Sequence, residues 1–476
     1  MPPQLGLLKG FSNGLVSLAN YLSQRLPEIG VELLDLSTMP TEQVAHCLGQ
    51  YADIAEDVLV VGITTTTASY QSALAVARIF KKIAPQCVVV LGGHHASADA
   101  ETILRRHQDY VDFIIKGEGE RPLTELLIHY GGSGVFSIAG LAFLHHGNFY
   151  QNQLPPYLTQ KELDSLPITF NGGGLIGTPG KFDHATYVSA RGCPLRCSFC
   201  SVANERIRSK SVPQVVRDVR ELTERGYSRI AIEDNFFAHS AARTRELCAA
   251  LFSLRAEGLT FAWDCQTRIE SMAREGVVDL LAEAGCEAVY IGVESLNEDQ
   301  LLYLNKTSQP QRYLDQLATI VVPRLLDSAV NCYINLQLGL PGETGQHFRS
   351  TFNMLRMLGS MALHKKKCIT IFPQLHVIYP GTFHFEAGVS EGRFERDVFE
   401  TFTKWEAQQP PVITWLGEHF AHGTGGLPEG LLIPEKLRQG QYEVNVDSVF
   451  RISSTLKSLD RIPGIKVFSY GIHLVE

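Results

Sequence analysis

The sequence predicts an α/β protein in which an N-terminal doubly wound parallel sheet is followed by a partial (β/α)6 barrel and a small C-terminal region. Two observations predict this class. Short runs of Val, Ile and Leu alternate with amphipathic helices in two separate parts of the chain, as buried parallel strands require. A stretch rich in Gly and Pro separates the two parts. Across the 476 residues, we place the first domain at 1–135, a linker at 136–180, the barrel at 181–394 and the C-terminal region at 395–476.

The first domain contains three predicted strands with helices between them. Residues 58–63 read VLVVGI, residues 87–91 read CVVVL and residues 111–115 read VDFII, so each run is short and mostly apolar. Tyr70–Ile83 lies between the first two runs and is a predicted helix. Apolar strands that alternate with helices predict a parallel sheet with both faces buried.

Polar and glycine-rich segments follow these strands at their carboxyl ends, where sheets of this kind bind ligands. The segments are 64–67, 92–95 and 117–120. The candidate binding residues are Thr65, Gly92, Gly93, Gly117 and Glu118. His94 and His95 are candidate metal ligands, but neighbours in an extended chain point to opposite sides, so at most one would face a pocket. The alternative is a turn histidine with an ordinary hydrogen bond.

The barrel is predicted from a second series of strands and helices that begins near residue 186. Ahead of it, glycine-rich segments at 131–134 and 171–174 indicate a small β element and then a linker. The predicted strands are 187–190, 229–233, 261–266, 288–293, 333–337 and 370–372. The predicted helices lie at about 213–225, 239–257, 270–284, 311–327 and 343–358. Six strands with intervening helices suggest an open three-quarter barrel, whose sites lie at the carboxyl ends of the strands.

Three cysteines form the most informative motif of the chain. Cys193, Cys197 and Cys200 lie in the sequence RGCPLRCSFC, directly after the first barrel strand. Thiolates at these intervals can hold three irons of a cubic 4Fe–4S cluster and leave the fourth iron open for a substrate. A structural zinc loop would need a fourth ligand, and the nearest candidates, His184 and Cys248, are not in the immediate flanks. Inert core thiols are the other alternative, since free cysteine packs as a small hydrophobe.

The motif, with Phe199 before its last cysteine, resembles the signature of the radical S-adenosylmethionine (SAM) enzymes. The resemblance implies that the open iron chelates SAM and that the enzyme generates a 5′-deoxyadenosyl radical. It also implies that residues at the ends of the later strands line the SAM site. These are Glu233, Gln266, Arg268, Glu294 and Gly339.

The resemblance also implies roles for four of these residues. Gln266 or Arg268 would bind the methionyl carboxylate or the ribose, because a guanidinium suits a carboxylate. Glu294 would take the amino group or the ribose hydroxyls, and Gly339 would let the backbone approach the adenine. Each could instead be structural: Glu343, for example, could simply begin a helix, where a carboxylate favours the helix dipole.

Residues 50–127 resemble the cobalamin-binding domain that precedes the barrel in one large branch of the radical SAM superfamily. The resemblance rests on the segments VVGITTTTASY, VVVLGGHHAS and VDFIIKGEGERPLTELL, in that order. The Asp-x-His-x-x-Gly motif that supplies a histidine to cobalt in other cobalamin proteins is absent, which implies a cobalamin without that lower ligand. The family also has a strand ahead of the first one predicted here, and we expect that strand to be missing.

The two resemblances together imply a cobalamin-dependent C-methyltransferase that acts on an unactivated carbon of a biosynthetic small molecule. His376 and Tyr379, after the last predicted strand, are candidate catalytic residues at the substrate site. The alternatives are a cobalamin-binding radical SAM enzyme that performs a rearrangement, cyclisation or oxidation, and a non-enzymatic cobalamin sensor. A methylthiotransferase would need three more clustered cysteines, which Cys47 and Cys87 do not supply.

Composition restricts the partners and the compartment. The net charge of −8 and the lack of a basic tract argue against nucleic acid. The apolar runs are far shorter than the ~18 residues of a membrane span. The other seven cysteines are isolated, and no signal-peptide pattern opens the chain, so we expect a reducing, cytoplasmic location. The expected partners are a small-molecule substrate and an electron donor such as ferredoxin or flavodoxin. His419 and His422 could share a helix face but are more typical of solvated or packed residues.

Overall fold

The computed structural model describes residues 12–36, 41–51, 59–169, 175–176, 184–393, 395–397 and 462–467. Contacts within the chain divide these residues into two units. The first unit contains the described residues before position 183 and a segment that begins at Tyr379. The second contains residues 184–378 and 462–467. Most of the predicted C-terminal region, including His419 and His422, lies outside the described residues.

The first unit alternates helices and strands over most of its length. In chain order these are α1 (Asn13–Arg25), β1 (Leu33–Leu34), α2 (Thr41–Gly49), β2 (Val60–Thr64), α3 (Tyr70–Ile83), β3 (Val88–Gly92), α4 (His94–Ala98), α5 (Ala100–His107), β4 (Phe113–Ile115), α6 (Glu120–His129), β5 (Leu141–His145), β6 (Asn148–Gln151), α7 (Gln160–Ser165) and β7 (Leu175–Ile176). The three predicted strands and the predicted helix of this domain are confirmed as β2, β3, β4 and α3, with strand ends shifted by one or two residues.

The main sheet of the first unit has the strand order β2-β3-β4-β5-β6. The first three strands are parallel, and β5 and β6 extend the sheet as an antiparallel hairpin. This hairpin is the small β element predicted from the glycine-rich stretch. A short strand, β1, does precede β2, but it pairs with β7 instead of joining the main sheet.

Helices cover both faces of this sheet, which confirms the doubly wound arrangement. On one face, Val89 and Leu91 pack with residues of α3 and α5 such as Leu74 and Ile103. On the other face, Val88 and Val90 pack with residues that include Leu126 of α6. Because neighbouring residues of a strand point to opposite faces, a strand buried on both sides must be apolar throughout. The run at 87–91 meets that requirement.

The second unit is a series of parallel strands connected by helices. Its elements are β8 (His184–Tyr187), β9 (Ala190–Arg191), β10 (Arg208–Ser209), α8 (Val212–Glu224), β11 (Arg229–Ile232), α9 (Ala241–Ala256), β12 (Ala262–Thr267), α10 (Ile269–Met272), α11 (Val277–Glu283), β13 (Cys286–Glu294), α12 (Glu298–Tyr303), α13 (Pro310–Gln316), α14 (Val322–Asp327), β14 (Asn331–Leu338), α15 (Gly345–His364), β15 (Ile369–Leu375) and β16 (Ile465–Val467). The segment that returns to the first unit carries α16 (Phe383–Ser390).

The sheet of the second unit has the order β16-β15-β14-β13-β12-β11-β8. All of its pairings are parallel, and the strands follow one another as they do along the chain. Five of the six predicted strands are confirmed, and the first, predicted at 187–190, lies three residues earlier as β8 (His184–Tyr187). A seventh, β16, comes from the C-terminal region and was not predicted. Gly359 of α15 lets it approach, since a Cβ at that position would collide with the carbonyl oxygen of Pro463.

Three predicted helices of the second unit differ in detail from the structure, and one of them, predicted at 343–358, extends to His364 as α15. The helix predicted at 270–284 is two helices, because Gly276 adopts a φ of 72° that a right-handed helix cannot contain. The helix predicted at 311–327 has a π-helical turn at Leu317–Val321, just before Pro323, and proline cannot donate the usual helical hydrogen bond. Among the described residues, no helix is both long and apolar enough to span a bilayer.

Candidate active site

The three cysteines lie on a compact loop between β9 and β10, which pair with each other and close its base. Gly192 has a φ of 84°, and a Cβ there would collide with the carbonyl oxygen of Arg206. Across the loop, the Glu205 amide donates to the Cys193 carbonyl at 2.8 Å. The Cys200 amide donates to the Cys197 carbonyl at 3.2 Å. The backbone therefore folds the loop on itself and keeps the three cysteines on one short segment.

All three cysteines are free thiols; Cys193 and Cys197 are buried and Cys200 is half-buried. Burial raises the pKa of Cys193, and burial together with the charges of the other two thiols raises the pKa of Cys200 to about 11. The three sulfurs thus interact. In the part of the chain that the structure describes, no three His, Cys, Asp or Glu side chains converge to hold one metal ion. Three soft sulfur donors suit the irons of a 4Fe–4S cluster, with one thiolate to each iron.

A buried carboxylate supports the start of this loop. Asp234, which follows β11, accepts hydrogen bonds from the amide and hydroxyl of Ser189, each at 2.6 Å, and from the amide of Ala190 at 2.8 Å. Burial raises the pKa of Asp234 to about 6. Glu233, singled out from the sequence, is half-buried, and its amide donates to the Tyr187 carbonyl at 2.8 Å. The sequence shows that Glu233 and Asp234 both lie at a strand end, but it does not show which of the two carboxylates accepts hydrogen bonds from the start of the loop.

Residues 303–306, which we call the tether segment, hold the cysteine loop from the other side. The carbonyls of Leu304 and Tyr303 accept from the amide and hydroxyl of Ser198, each at 3.0 Å. The side-chain amide of Asn305 donates to the Arg196 carbonyl at 2.6 Å. The tether segment therefore fixes both neighbours of Cys197 in the chain. Sequence reasoning missed it, because no motif distinguishes these residues.

Glu294 lies at the end of β13, at a point where the pairing with β14 shifts register. Its φ is 70°, which is unusual for a residue with a side chain. One carboxylate oxygen accepts from Lys306 Nζ at 3.0 Å and the other from Gln337 Nε2 at 2.9 Å. Gly292 makes room for this pair, since a Cβ there would lie 2.7 Å from Glu294 Oε1. The predicted SAM-binding carboxylate is thus fixed in place from two sides.

The series of hydrogen bonds that joins Lys306, Glu294 and Gln337 continues to His376. Because the Gln337 amide nitrogen donates to Glu294, its oxygen faces His376 Nδ1, at 2.7 Å. In the neutral imidazole Nδ1 therefore carries the proton, and Nε2 is the nitrogen with the basic lone pair. His376 is buried, and the ring of Tyr303 stands edge-on to it. The sequence singled out His376 but not Gln337, which orients it.

The other strand-end residues predicted to bind SAM lie on the same sheet. Gln266 is exposed and Gly339 has a φ of 78°. The Gly339 amide donates to Glu343 at 2.6 Å, so Glu343 serves the turn at the end of β14. Arg268 is buried and contacts Glu270 and Cys197. The structure thus brings these residues to one end of the sheet, while their roles towards SAM stay predictions.

In the first unit, the candidate residues lie together at the carboxyl ends of β2, β3 and β4. Thr65 is fully buried, and its hydroxyl donates to the Gly92 carbonyl at 2.8 Å and accepts from the Ala96 amide at 3.1 Å. Gly93 has a φ of 90°, and a Cβ there would lie 2.5 Å from the Thr65 carbonyl oxygen. Thr65 and Gly93 therefore shape this edge through backbone contacts.

The neighbouring segment follows β4. The Gly117 amide donates to the Ser97 hydroxyl at 3.2 Å, and Glu118 accepts from the Leu158 amide at 3.2 Å. Both residues thus tie the strand end to surrounding backbone.

His94 and His95 begin the short helix α4 instead of lying in an extended turn. His94 is exposed and His95 is buried. His95 Nδ1 lies 3.2 Å from the Thr67 hydroxyl, and the ring packs 4.1 Å from that of Tyr70. Burial lowers the pKa of His95 to about 4, so the ring is neutral at neutral pH.

Tyr379 belongs to the segment that returns to the first unit, whereas His376 belongs to the second. Tyr379 is exposed, and its carbonyl accepts from the Thr382 hydroxyl at 2.7 Å. The two candidate catalytic residues therefore belong to different units, and their shared role stays a prediction.

Three free thiols on one loop, after the first strand of a parallel sheet of alternating strands and helices, define the class of radical SAM enzymes. The α/β unit that precedes them defines the branch with an added cofactor-binding domain.

Comparisons with known proteins agree with this class. The B12-binding domain model matches residues 8–127, and the radical SAM superfamily model matches residues 187–355. An uncharacterised methyltransferase of Pyrococcus horikoshii is 30% identical over 321 residues, which cover 65% of this chain and 67% of that relative. The chain belongs to the radical SAM superfamily and carries an N-terminal B12-binding domain.

Two further matches extend the comparison. The anaerobic magnesium-protoporphyrin IX monomethyl ester cyclase of Cereibacter sphaeroides is 26% identical over 351 residues, 70% of this chain but only 55% of that relative. The solved structure of the radical S-adenosylmethionine methyltransferase TsrM from Kitasatospora setae has a TM-score of 0.67 at 19% identity. It covers 80% of this chain and 73% of TsrM, and at that identity it shows a shared fold.

The cofactors follow from the family. They are a 4Fe–4S cluster and SAM in the second unit and cobalamin in the first. The three thiols Cys193, Cys197 and Cys200 are the set that would hold the cluster. With three protein ligands, one iron is left open, as a catalytic centre requires.

Proposed function

We propose that this chain is a cobalamin-dependent radical SAM methyltransferase that acts on an unactivated carbon of a biosynthetic small molecule. The observation that carries the proposal is the presence in one chain of an open three-thiol site and a B12-binding domain. The name of the Pyrococcus horikoshii relative supports methyl transfer. When bound, the cluster supplies one electron for cleavage of SAM and the cobalamin supplies a transferable methyl group.

The residues of the second unit would bind and orient SAM. Glu294 offers a carboxylate that Lys306 and Gln337 hold in one orientation. A carboxylate so fixed can bind the SAM amino group or ribose hydroxyls without first having to be ordered. His376 Nε2 would accept or return a proton at the substrate site, since the Gln337 oxygen keeps the other ring nitrogen protonated.

An aromatic surface on the same sheet would hold the substrate. Tyr290 and Tyr333 stack with ring centroids 4.8 Å apart, and Phe372 lies 5.5 Å from Tyr333. Both tyrosines are half-buried, so part of each ring can contact another molecule. Rigid aromatic rings of this kind bury apolar area on binding and exclude water, which would quench radicals.

The electron would come from a small acidic redox protein such as ferredoxin or flavodoxin. Arg196 and Arg206 flank the last two cysteines and are exposed. Positive charge beside the cysteine loop would attract an acidic donor and increase its rate of association.

The test uses SAM with a deuterated methyl group. The reconstituted protein is incubated anaerobically with cobalamin, a low-potential reductant and a small-molecule extract, and the products are identified by mass spectrometry. We expect labelled methylcobalamin, S-adenosylhomocysteine and a product with the labelled methyl. The variant in which Cys193, Cys197 and Cys200 are all Ala is the control and should form no 5′-deoxyadenosine.

The second candidate is a cobalamin-binding radical SAM enzyme that performs a cyclisation, rearrangement or oxidation. The match to the Cereibacter sphaeroides cyclase, over 70% of this chain, favours it. Accumulation of 5′-deoxyadenosine with products that all lack the labelled methyl would replace the first proposal by this one.

A further inference from the structure

We propose that Arg268 tunes the iron–sulfur cluster: its guanidinium donates a hydrogen bond to the sulfur of Cys197 and so makes the reduction potential of the cluster less negative. The inference rests on the cluster of the proposed function and is independent of methyl transfer. It gives Arg268 a role in electron uptake, in addition to the SAM contact that its position at a strand end suggests.

The contact is direct and shielded from solvent. Arg268 Nη1 lies 3.3 Å from Cys197 Sγ. Arg268 and Cys197 are each 8% exposed. A hydrogen bond from a charged donor is stronger than a neutral one, and a low dielectric strengthens it further.

The guanidinium is held in this position without the help of Cys197. Glu270 accepts from Arg268 Nε at 3.2 Å and from Nη2 at 3.0 Å, in the two-pronged arrangement that suits arginine. Nη2 also donates to the carbonyl of Lys306 in the tether segment. Because Glu270 and the Lys306 carbonyl both orient the guanidinium, Nη1 stays directed at the sulfur when that sulfur becomes an iron ligand.

Arg268 remains a cation in this buried place. Burial by itself would lower the pKa of Arg268, but the hydrogen bond and charge of Glu270 raise it above the ordinary range. The Glu270 side chain is 42% exposed, so solvent screens its negative charge more than it screens the guanidinium. Lys306, the other nearby cation, is paired with Glu294 at 3.0 Å. Among the described residues, Arg268 is the cation in direct contact with the sulfur of Cys197.

The sign of the effect follows from charge. Reduction adds one electron to the cluster, and that charge spreads onto its thiolate sulfurs. A positive donor at one sulfur stabilises the reduced form more than the oxidised form, which raises the potential. A less negative potential allows a weaker reductant to deliver the electron.

The experiment measures the potential and needs no substrate. Wild type, Arg268→Met, Arg268→Lys, Glu270→Gln and Arg274→Met are reconstituted anaerobically, and their iron and sulfide contents are determined. Each is titrated with a low-potential one-electron reductant, titanium(III) citrate, in the presence of mediator dyes. The reduced cluster is followed by electron paramagnetic resonance. Arg274 is the matched control because it lies six residues along the same segment and bonds to the Ala238 carbonyl instead of a cysteine.

We expect a more negative midpoint for Arg268→Met and a smaller shift in the same direction for Arg268→Lys, which keeps the charge. Glu270→Gln removes the counter-charge, so its midpoint should become less negative. Arg274→Met should match wild type. A cluster of full iron content and wild-type midpoint in Arg268→Met would overturn the inference. If that variant takes up no iron, Glu270→Gln decides, and a midpoint that is unchanged or more negative overturns it.

The outcomes separate this inference from the proposed function. Variants with unshifted potentials would overturn the role of Arg268 and leave methyl transfer intact. If Arg268 shifts the potential of the cluster but the wild-type enzyme transfers no methyl group, the proposed function is overturned and the role of Arg268 stands. A wild-type chain that holds no cluster would overturn both.

Discussion

At the scale of single residues, the site is built around charges that are buried and paired. Glu294 is 9% exposed and Lys306 is 7% exposed, and they form an ion pair. Burying two charges costs several kcal/mol of desolvation, which a good geometry only offsets. The pair is therefore weak evidence for stability, and the role of Glu294 towards SAM stays a prediction.

Removing one member of this pair should be costly. We expect Lys306→Met to lower the free energy of unfolding of the second unit by about 3–5 kcal/mol, because it leaves Glu294 buried without its cation. Lys365→Met is the matched control: Lys365 pairs with Asp327, but the side chains are 46% and 58% exposed. Its loss should cost less than about 1 kcal/mol. Urea unfolding of the apoprotein measures both, and equal costs would contradict the argument.

Sequence reasoning found some of these residues and missed others for a physical reason. The three cysteines and Glu294 follow predicted strands, so the sequence indicated both their chemistry and their position in the fold. Lys306, Gln337 and Asp234 matter because of what they contact. Lys306 lies 12 residues from Glu294 and Gln337 lies 43 residues from it. Such pairings depend on strand order and register, which a single sequence does not display.

At the scale of elements, the turn from β3 into α4 depends on one glycine. Gly93 has a φ of 90°, and a Cβ there would lie 2.5 Å from the carbonyl oxygen and 2.8 Å from the amide of Thr65. The carboxyl ends of β2 and β3 therefore lie so close together at Gly93 that no side chain fits there.

Gly93→Ala should destabilise the first unit by about 2 kcal/mol or more, since the backbone conformation alone costs roughly 1–2 kcal/mol and the contact adds to it. It should also reduce retention of cobalamin. Gly62→Ala is the control because no atom lies within 4 Å of its Cβ position. That change should be neutral or stabilising by up to about 1 kcal/mol. Urea unfolding and the visible absorption of bound corrinoid provide the two readouts, and an undisturbed Gly93→Ala would refute the prediction.

The elements that the sequence predicted well are those with a continuous pattern. The apolar runs of β2, β3 and β13 and the periodicity of α3 were sufficient to locate them. The missed strands are too short to carry a pattern: β1 has two residues and β16 has three. The break at Gly276 was missed because a glycine inside a helical pattern is often tolerated. Its left-handed φ is visible only in the structure.

At the scale of the whole molecule, the candidate cofactor residues divide between two units. The cluster ligands lie in the second unit, and the B12-binding domain match lies within the first. Each unit should therefore load its own cofactor. The triple variant with Ala at Cys193, Cys197 and Cys200 should lose its iron and the absorption near ~400 nm of thiolate-bound iron–sulfur centres. It should still bind cobalamin. Four irons in the variant, or the loss of both cofactors together, would contradict this division.

The tether segment has a consequence for how this site can change over evolutionary time. Its four consecutive residues contact Ser198 of the cysteine loop, the guanidinium of Arg268 and the carboxylate of Glu294. Residues that contact one another in this way do not contribute independently to stability, so the effects of substituting them will not add. A mutation acceptable at one of these positions in one relative should fail in another unless its partners change too. Positions 294 and 306, whose side chains pair, should therefore vary together or not at all.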